Sequence, residues 1–202
     1  MTDIPQRTDA WHQERLGRVT ASRISDVMMA PTTAGYRGYL AQLVCERLTG
    51  TPTETFKSAA MQHGIDTEAD ARAAYSARKG VIVDETGFHK HPDLEAGASP
   101  DGLVGTDGLV EIKSVQPQTF LDLIDSRKVP TDHALQIQWQ LAVTGRDWCD
   151  YAVYCSKLPP HLQLLIIRVE RNQAKIIEIT ERVTGFLNEV TNRVNRLREM
   201  TP

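Results

Sequence analysis

The chain has 202 residues, 41% of them hydrophobic and 24% charged, with a formal net charge of −3. This is the composition of an ordinary soluble globular protein, long enough to bury a core without staples. The slight negative charge speaks against a passive nucleic-acid coat, which is normally basic, but not against an enzyme whose clustered carboxylates work through a cation. Cys45, Cys149 and Cys155 are odd in number and lack CxxC spacing, so neither a disulfide framework nor a zinc site is expected and a reducing cytoplasm is the default. No apolar leader opens the chain, and runs such as LQLLIIRV are too short to span a bilayer, so no membrane association is expected.

In chain order, the first part, about 1–80, reads as helical. Residues 20–29 and 36–48 carry apolar side chains at helical spacing, and Gly50 and Pro52 then punctuate the chain. A longer helix is predicted from Phe56 to Arg78, with Gly80 as its stop and Gly64 as a candidate point of close approach. The pattern then changes. Residues 81–90 read as a strand, and 101–115 as a hairpin turning at Asp107-Gly108. Helices are predicted from Gln118 to Arg127, and from a cap at Thr131 or Asp132 to Thr144, where Gly145 ends the run. Two β-rich runs, 148–155 and 162–169, are separated by Pro159-Pro160, and an amphipathic helix occupies 172–198. With no internal repeat and no linker, the expectation is a single domain over 1–202. Its core, about 81–170, would be an α/β (α+β) fold, a central mixed sheet flanked by helices.

The sharpest chemical feature is Ser99-Pro100-Asp101, ten residues before Glu111-Ile112-Lys113. Side chains alternate along a strand, so Glu111 and Lys113 share a face while Val110 and Ile112 point into the core. Asp101 begins the partner strand, so two carboxylates and an amine can converge at one end of the sheet. Carboxylate oxygens are what hard cations such as Mg²⁺ or Mn²⁺ prefer, and such ions activate water and polarise phosphodiesters. An exposed cross-strand ion pair would use the same residue types, and an ExK triplet alone carries little information.

The PD…ExK hairpin resembles the core of the restriction-endonuclease-like, PD-(D/E)xK nucleases. More of the chain is similar to one branch, the phage lambda-type exonucleases or YqaJ-like viral recombinases. The matching stretches are WHQERLGRVTAS at 11–22, HGIDTEADAR at 63–72, ASPDGLVGTDGLVEIKS at 98–114 and LQIQWQLAVTG at 135–145.

The resemblance implies that Asp101 and Glu111 ligate metal with the carbonyl of Ile112, that Lys113 is the catalytic lysine, and that Glu68 is an additional acid near a second metal. It implies that Gln138 faces the site; Gln136, Gln138 and Gln140 alternate along this helix and cannot all point one way. It further implies that Arg15, Ser22 and Ser99 form a pocket for a terminal 5′-phosphate, and that Met61 sits where the family carries a strand-separating wedge. The residues alone leave other readings open: a surface arginine for Arg15, an N-cap for Ser22, an exposed helix glutamate for Glu68, core packing for Met61 and for Trp11. His89 and His91 share a strand face but lack a third ligand for zinc. Arg193, Arg196 and Arg198 read as a solvated helix face.

By the same resemblance, the function would be that of a Mg²⁺-dependent 5′→3′ exonuclease acting on double-stranded DNA ends. It would use two ions per site, with Mn²⁺ able to substitute, and would leave a 3′ single strand for recombination. The assembly implied is a ring-shaped homotrimer with a single-strand annealing protein as partner, phage or prophage encoded, in the cytoplasm of a bacterial host. The alternatives are a structure-specific endonuclease or junction resolvase of the same fold, and a non-catalytic DNA-binding module.

Overall fold

The computed structural model describes residues 4–53 and 59–200. Seven helices are found among them: α1 (Asp9–Arg15), α2 (Ile24–Met28), α3 (Ala34–Thr49), α4 (Ala59–Lys79), α5 (Pro117–Ser126), α6 (Thr131–Thr144) and α7 (Gln173–Arg198). The strands are β1 (Val19–Thr20), β2 (Val83–Asp84), β3 (His89–Lys90), β4 (Ala96–Ala98), β5 (Gly102–Val104), β6 (Gly108–Ser114), β7 (Trp148–Tyr154) and β8 (Leu164–Glu170). Short 3₁₀ turns occupy Ala21–Arg23 and Pro160–Leu162. The expected start of the long helix at Phe56 lies outside the described residues.

The central sheet has five strands in the order β2-β5-β6-β7-β8. β6 runs parallel to β7, and the other pairs are antiparallel. Helix α4 covers one face, with Ala71 and Tyr75 packed on Val110, Ile112 and Ala152. On the other face α5 and α6 bring Phe120, Leu123, Ile137 and Leu141 against Leu109, Tyr151 and Val153. Both faces of β6 are thereby covered, and Gly108–Ile112 is buried throughout, as the inner strands of such layered sheets are.

A second sheet, β1-β4-β3, departs from the expectation of one sheet. The predicted strand 81–90 is split between the two sheets, as β2 and β3. Strands of two or three residues are too short for alternation to register in a sequence. A third body of core lies beneath α7, whose Ile176, Ile179, Val183, Phe186, Val190 and Val194 form an apolar stripe facing α2, α3 and Trp139.

Details of the turns differ from the sequence expectation. The hairpin pairs Val104 with Gly108, and the left-handed residue is Gly105 (φ 57°), not Gly108. Gly108 belongs to the strand, and a Cβ there would lie 2.1 Å from the Trp148 ring. Arg146 closes the hairpin by donating to the carbonyls of Val104, Gly105 and Gly108 at 3.4, 3.0 and 2.6 Å. Helix α6 takes Pro130 as its N-cap without a side-chain cap bond, so neither Thr131 nor Asp132 caps it. At Gly64 a Cβ would meet nothing within 4 Å, so that glycine marks no close approach. No helix among the described residues is long and apolar enough to cross a membrane.

Helix α4 is fixed to the sheet by a buried charge. Asp150 is 1% exposed and accepts from the Tyr75 hydroxyl at 2.8 Å and from Arg168 at 2.5 and 3.3 Å, with Lys79 at 3.3 Å. Burial alone would raise the Asp150 pKa; the Arg168 and Tyr75 hydrogen bonds outweigh it and hold it below the usual value. The Asp150 contribution to stability is therefore complete above the unfolded carboxyl pKa of about 3.9 and is lost as pH falls through the lower folded value. Asp150→Ala should cost about 3–5 kcal/mol in urea unfolding at neutral pH, because it strands Arg168 and Tyr75. A loss no larger than that of an exposed ion pair, about 1 kcal/mol or less, would refute this role.

Candidate active site

Asp101 immediately precedes β5, and the hairpin lays it beside β6, where its Oδ2 accepts the Ile112 N–H at 2.7 Å. Glu111 points to the α6 side of β6 with its side chain only 2% exposed. It is held there by three donors. Lys113 Nζ and Gln136 Nε2 each reach its Oε1 at 2.7 Å, and Gln140 Nε2 reaches its Oε2 at 2.6 Å. Gln136 and Gln140 are four residues apart, hence on one helical face. The expected open face for Glu111 and Lys113 is corrected: α5 and α6 cover it.

Gln138 is corrected as well. It lies off the face shared by Gln136 and Gln140, donates to the Glu170 carbonyl at 2.8 Å and accepts from the Asn172 N–H at 2.8 Å. It ties α6 to the junction of β8 and α7 and faces away from the acids. His133, one turn before Gln136, contacts the Tyr151 hydroxyl at 2.7 Å, and Tyr151 is the register partner of Glu111. Burial first, then the neighbouring Lys113 ammonium, lowers the His133 pKa.

Glu68 projects from α4 at the end of β6, where its neighbour Thr67 donates to Ser114 Oγ at 2.6 Å. Its carboxylate is paired with Arg7 and with Arg72, the latter at 2.7 Å. A cleft of about 340 Å³ joins it to Asp101 and is lined by Gln6, Arg7, Arg72, Glu85 and Thr86 as well. A larger cleft of about 410 Å³ between α4 and the Pro160–Leu162 turn contains no carboxylate and lies apart from this chemistry.

The second cluster begins two residues before Asp101. Ser99 Oγ accepts from Trp11 Nε1 at 2.9 Å and from Arg15 Nη1 at 3.5 Å. The Arg15 guanidinium lies 4.0 Å from the Trp11 ring centroid and 5.7 Å from that of Phe88. Burial lowers its pKa to about 10, against the pull of Tyr39 and Glu46, and among the described residues it forms no salt bridge. Trp11 is thus neither core nor idle: it orients both the guanidinium and the serine. Ser22 stands exposed on the 3₁₀ turn after β1 and caps neither that turn nor α2. Strands β1 and β4 are parallel neighbours, so Ser22 and Ser99 follow their ends on the same side of the small sheet.

Met61 falls on the first turns of α4, and its side chain lies outside the described residues. His91 stacks on Trp139 with ring centroids 5.4 Å apart, and His89 contacts the Thr86 hydroxyl at 2.7 Å, so the two serve different neighbours. Arg193, Arg196 and Arg198 are exposed, as a solvated face requires.

The donor chemistry fits a hard divalent cation. Burial, and then the nearby charge of Glu111, push the Asp101 carboxyl well above its usual pKa, with Lys113 opposing. A cation beside the acids would offset both costs, and the Ile112 carbonyl belongs to the same corner of β6. Gln140 Oε1 is also buried without a hydrogen-bond partner among the described residues. Even so, no group of three His, Cys, Asp or Glu side chains among the described residues is arranged to hold a metal. The third acid is drawn aside: Glu68 is engaged by two arginines.

A family model for the YqaJ-like viral recombinase domain matches residues 10–147. This chain belongs to the YqaJ-like viral recombinase family. An alkaline exonuclease from Laribacter hongkongensis is 43% identical, with a TM-score of 0.90 over 95% of this chain and 96% of that one. The same enzyme in complex with dAMP matches with a TM-score of 0.89 at 43% identity, over 95% and 96% of the two chains. A phage-related exonuclease from Haemophilus somnus 129PT shares the fold at 12% identity, with a TM-score of 0.70 over 89% of this chain and 96% of that one. No curated protein matches the sequence. The span matched to the YqaJ-like model contains Arg15, Glu68, Ser99, Asp101, Glu111, Lys113 and both site glutamines; Arg7 precedes it.

The raised pKa of Asp101 has a consequence for this YqaJ-like chain. Its ionised form costs stability above the unfolded pKa of about 3.9, and that cost disappears as pH falls through the higher folded value. Asp101→Asn keeps an oxygen for the Ile112 N–H and removes the charge. In EDTA at neutral pH the variant should melt at least about 2 °C higher than the parent, the shift that about 1 kcal/mol produces in a chain of this size. An unchanged or lower melting temperature would show that the charge is not a burden to the fold.

Proposed function

We propose that this chain, acting over 1–202 as one nuclease domain, is a Mg²⁺-dependent 5′→3′ exonuclease that degrades one strand of linear double-stranded DNA from its end. The observation that carries the reading is the half-buried Arg15 guanidinium, without a salt-bridge partner among the described residues, beside Ser99, which stands two residues before Asp101. An anion-seeking pocket fused to an acidic corner suits a substrate with a terminal phosphate and a scissile phosphodiester one nucleotide away. The likeness to an exonuclease that also binds dAMP supports the same class.

Asp101, Glu111, the Ile112 carbonyl and Glu68 would hold two Mg²⁺ ions, with Mn²⁺ able to substitute. When bound, the metal supplies Lewis-acid activation of water and neutralises phosphate charge. Arg15 offers a planar fork to the terminal phosphate, with Ser99 and Ser22 as hydroxyl donors. Lys113 acts as a cation. Burial disfavours its charge, but Glu111 and Asp101 outweigh that and raise its pKa, so it donates to the developing phosphate charge rather than abstracting a proton. Gln136 and Gln140 keep Glu111 in place. Met61 would part the terminal base pair. A homotrimeric ring around the duplex, an annealing protein as partner and a role in phage-type recombination complete the proposal.

The test is a linear duplex bearing a 5′-phosphate on one end and a 5′-hydroxyl on the other, followed end by end in Mg²⁺. The phosphorylated end should be lost faster, and Arg15→Ala should abolish the difference. Lys113→Ala should lower the rate by about 10²–10³-fold; it also removes a partner of the buried Glu111, so its melting temperature should fall while its circular dichroism stays that of the folded parent. Equal loss from both ends would remove the end pocket, cutting of circular duplex would favour an endonuclease, and no Mg²⁺-dependent cleavage would leave only a binding module.

A further inference from the structure

The segment before α1 reaches into the acidic cleft. Thr8 caps α1 through the Trp11 N–H at 3.2 Å and donates to the Pro5 carbonyl at 2.8 Å. Gln6 Nε2 donates to the carbonyls of Thr86 at 2.9 Å and of Pro100, the residue before Asp101, at 2.8 Å. Between these anchors Arg7 adopts φ 68°, a left-handed conformation that is costly for a side chain with a Cβ. That conformation delivers its guanidinium to Glu68 Oε2, while Arg72 takes Oε1. Arg72 is on the same helix as Glu68 and also pairs with Glu85, so it is part of the frame. Arg7 arrives from outside, and its side chain is 46% exposed.

We infer that Arg7 is a tethered counter-ion of Glu68 which must leave before a divalent cation can use that carboxylate. A guanidinium and a metal ion compete for the same oxygen, and both cannot hold it. The pairing places this counter-ion in the cleft that Asp101 and Glu68 both line. It also makes the two sides of the site unequal, with the Glu68 side gated by an exposed and replaceable ion pair. The inference rests on the proposed metal role of Asp101, Glu111 and Glu68.

The experiment is a Mn²⁺ titration of the metal-stripped full chain without DNA, with free Mn²⁺ read by electron paramagnetic resonance. Arg7→Gln should bind the weaker ion about fivefold more tightly than the parent, the scale set by an exposed ion pair. Arg7→Lys should fall between them. Glu68→Gln should lose that ion, and Arg18→Gln, which removes the same charge outside the cleft, should leave it unchanged. Equal or weaker binding by Arg7→Gln, or an equal gain by Arg18→Gln, overturns the counter-ion while the loss in Glu68→Gln preserves the metal reading. If Asp101→Asn and Glu68→Gln both bind like the parent, the metal reading itself fails and the counter-ion with it.

Discussion

The site depends on a carboxylate buried in the middle of a sheet. β6 is sandwiched by helices on both faces, so Glu111 cannot turn to water and its charge must be met by the protein. A buried carboxylate without partners costs several kcal/mol or takes up a proton and loses its charge. Lys113, two residues along the same strand face, and two glutamines one turn apart on α6 meet that demand. The spacing of α6 and its docking across β6 both serve this one requirement. Asp101 is then buried in the field of Glu111; burial first and that field second raise its pKa, with Lys113 opposing.

The opposite imbalance exists a short stretch of chain away. Arg15 lies against the Trp11 and Phe88 rings and donates to the Ser99 hydroxyl, and among the described residues no salt bridge cancels its charge. Ser99-Pro100-Asp101 joins the two imbalances by a rigid tripeptide, and Gln6 clamps its middle carbonyl. The proposed function uses both, with a polyanion's free end meeting the positive pocket and a divalent cation the negative one. The net charge of −3 is compatible with this, because the relevant quantity is the local separation of charge and not its sum.

Much of this is legible in the sequence, for physical reasons that differ by element. The hairpin declares itself because alternation with a short glycine-containing turn has few other solutions, although the turn glycine is Gly105. Helix α7 is equally plain from its apolar stripe. By contrast β1 and β4, after whose ends Ser22 and Ser99 follow, are shorter than one period of any pattern. The burial of the Glu111 face is not legible, since it depends on which helix lands there. Gln138 is singled out by its place in a matched block, yet helical geometry selects Gln136 and Gln140 and sends Gln138 to the β8–α7 junction. Trp11 reads as core because aromatic residues usually go there; its indole N–H, which needs a partner, is the signal that points elsewhere. Nothing in the local pattern around Arg7 announces a partner on α4, because the pairing is made by a fold that brings distant segments together.

The choice of side chains around the acids separates two ways of accommodating a buried charge. The two glutamines satisfy Glu111 by donating hydrogen bonds and add no charge to that of its cationic partner Lys113. An arginine in either place would make a stronger pair and a dead one, because a fully neutralised carboxylate has little left for a cation. Glu68 is treated in that second way, with a guanidinium on each oxygen. Glu111 is therefore held by one ammonium and two neutral amides, while the charge of Glu68 is masked by two guanidiniums. The part of that mask borne on a different segment from the helix it covers is Arg7, and an exposed ion pair at the end of a short tether is the weakest of the bonds around the site.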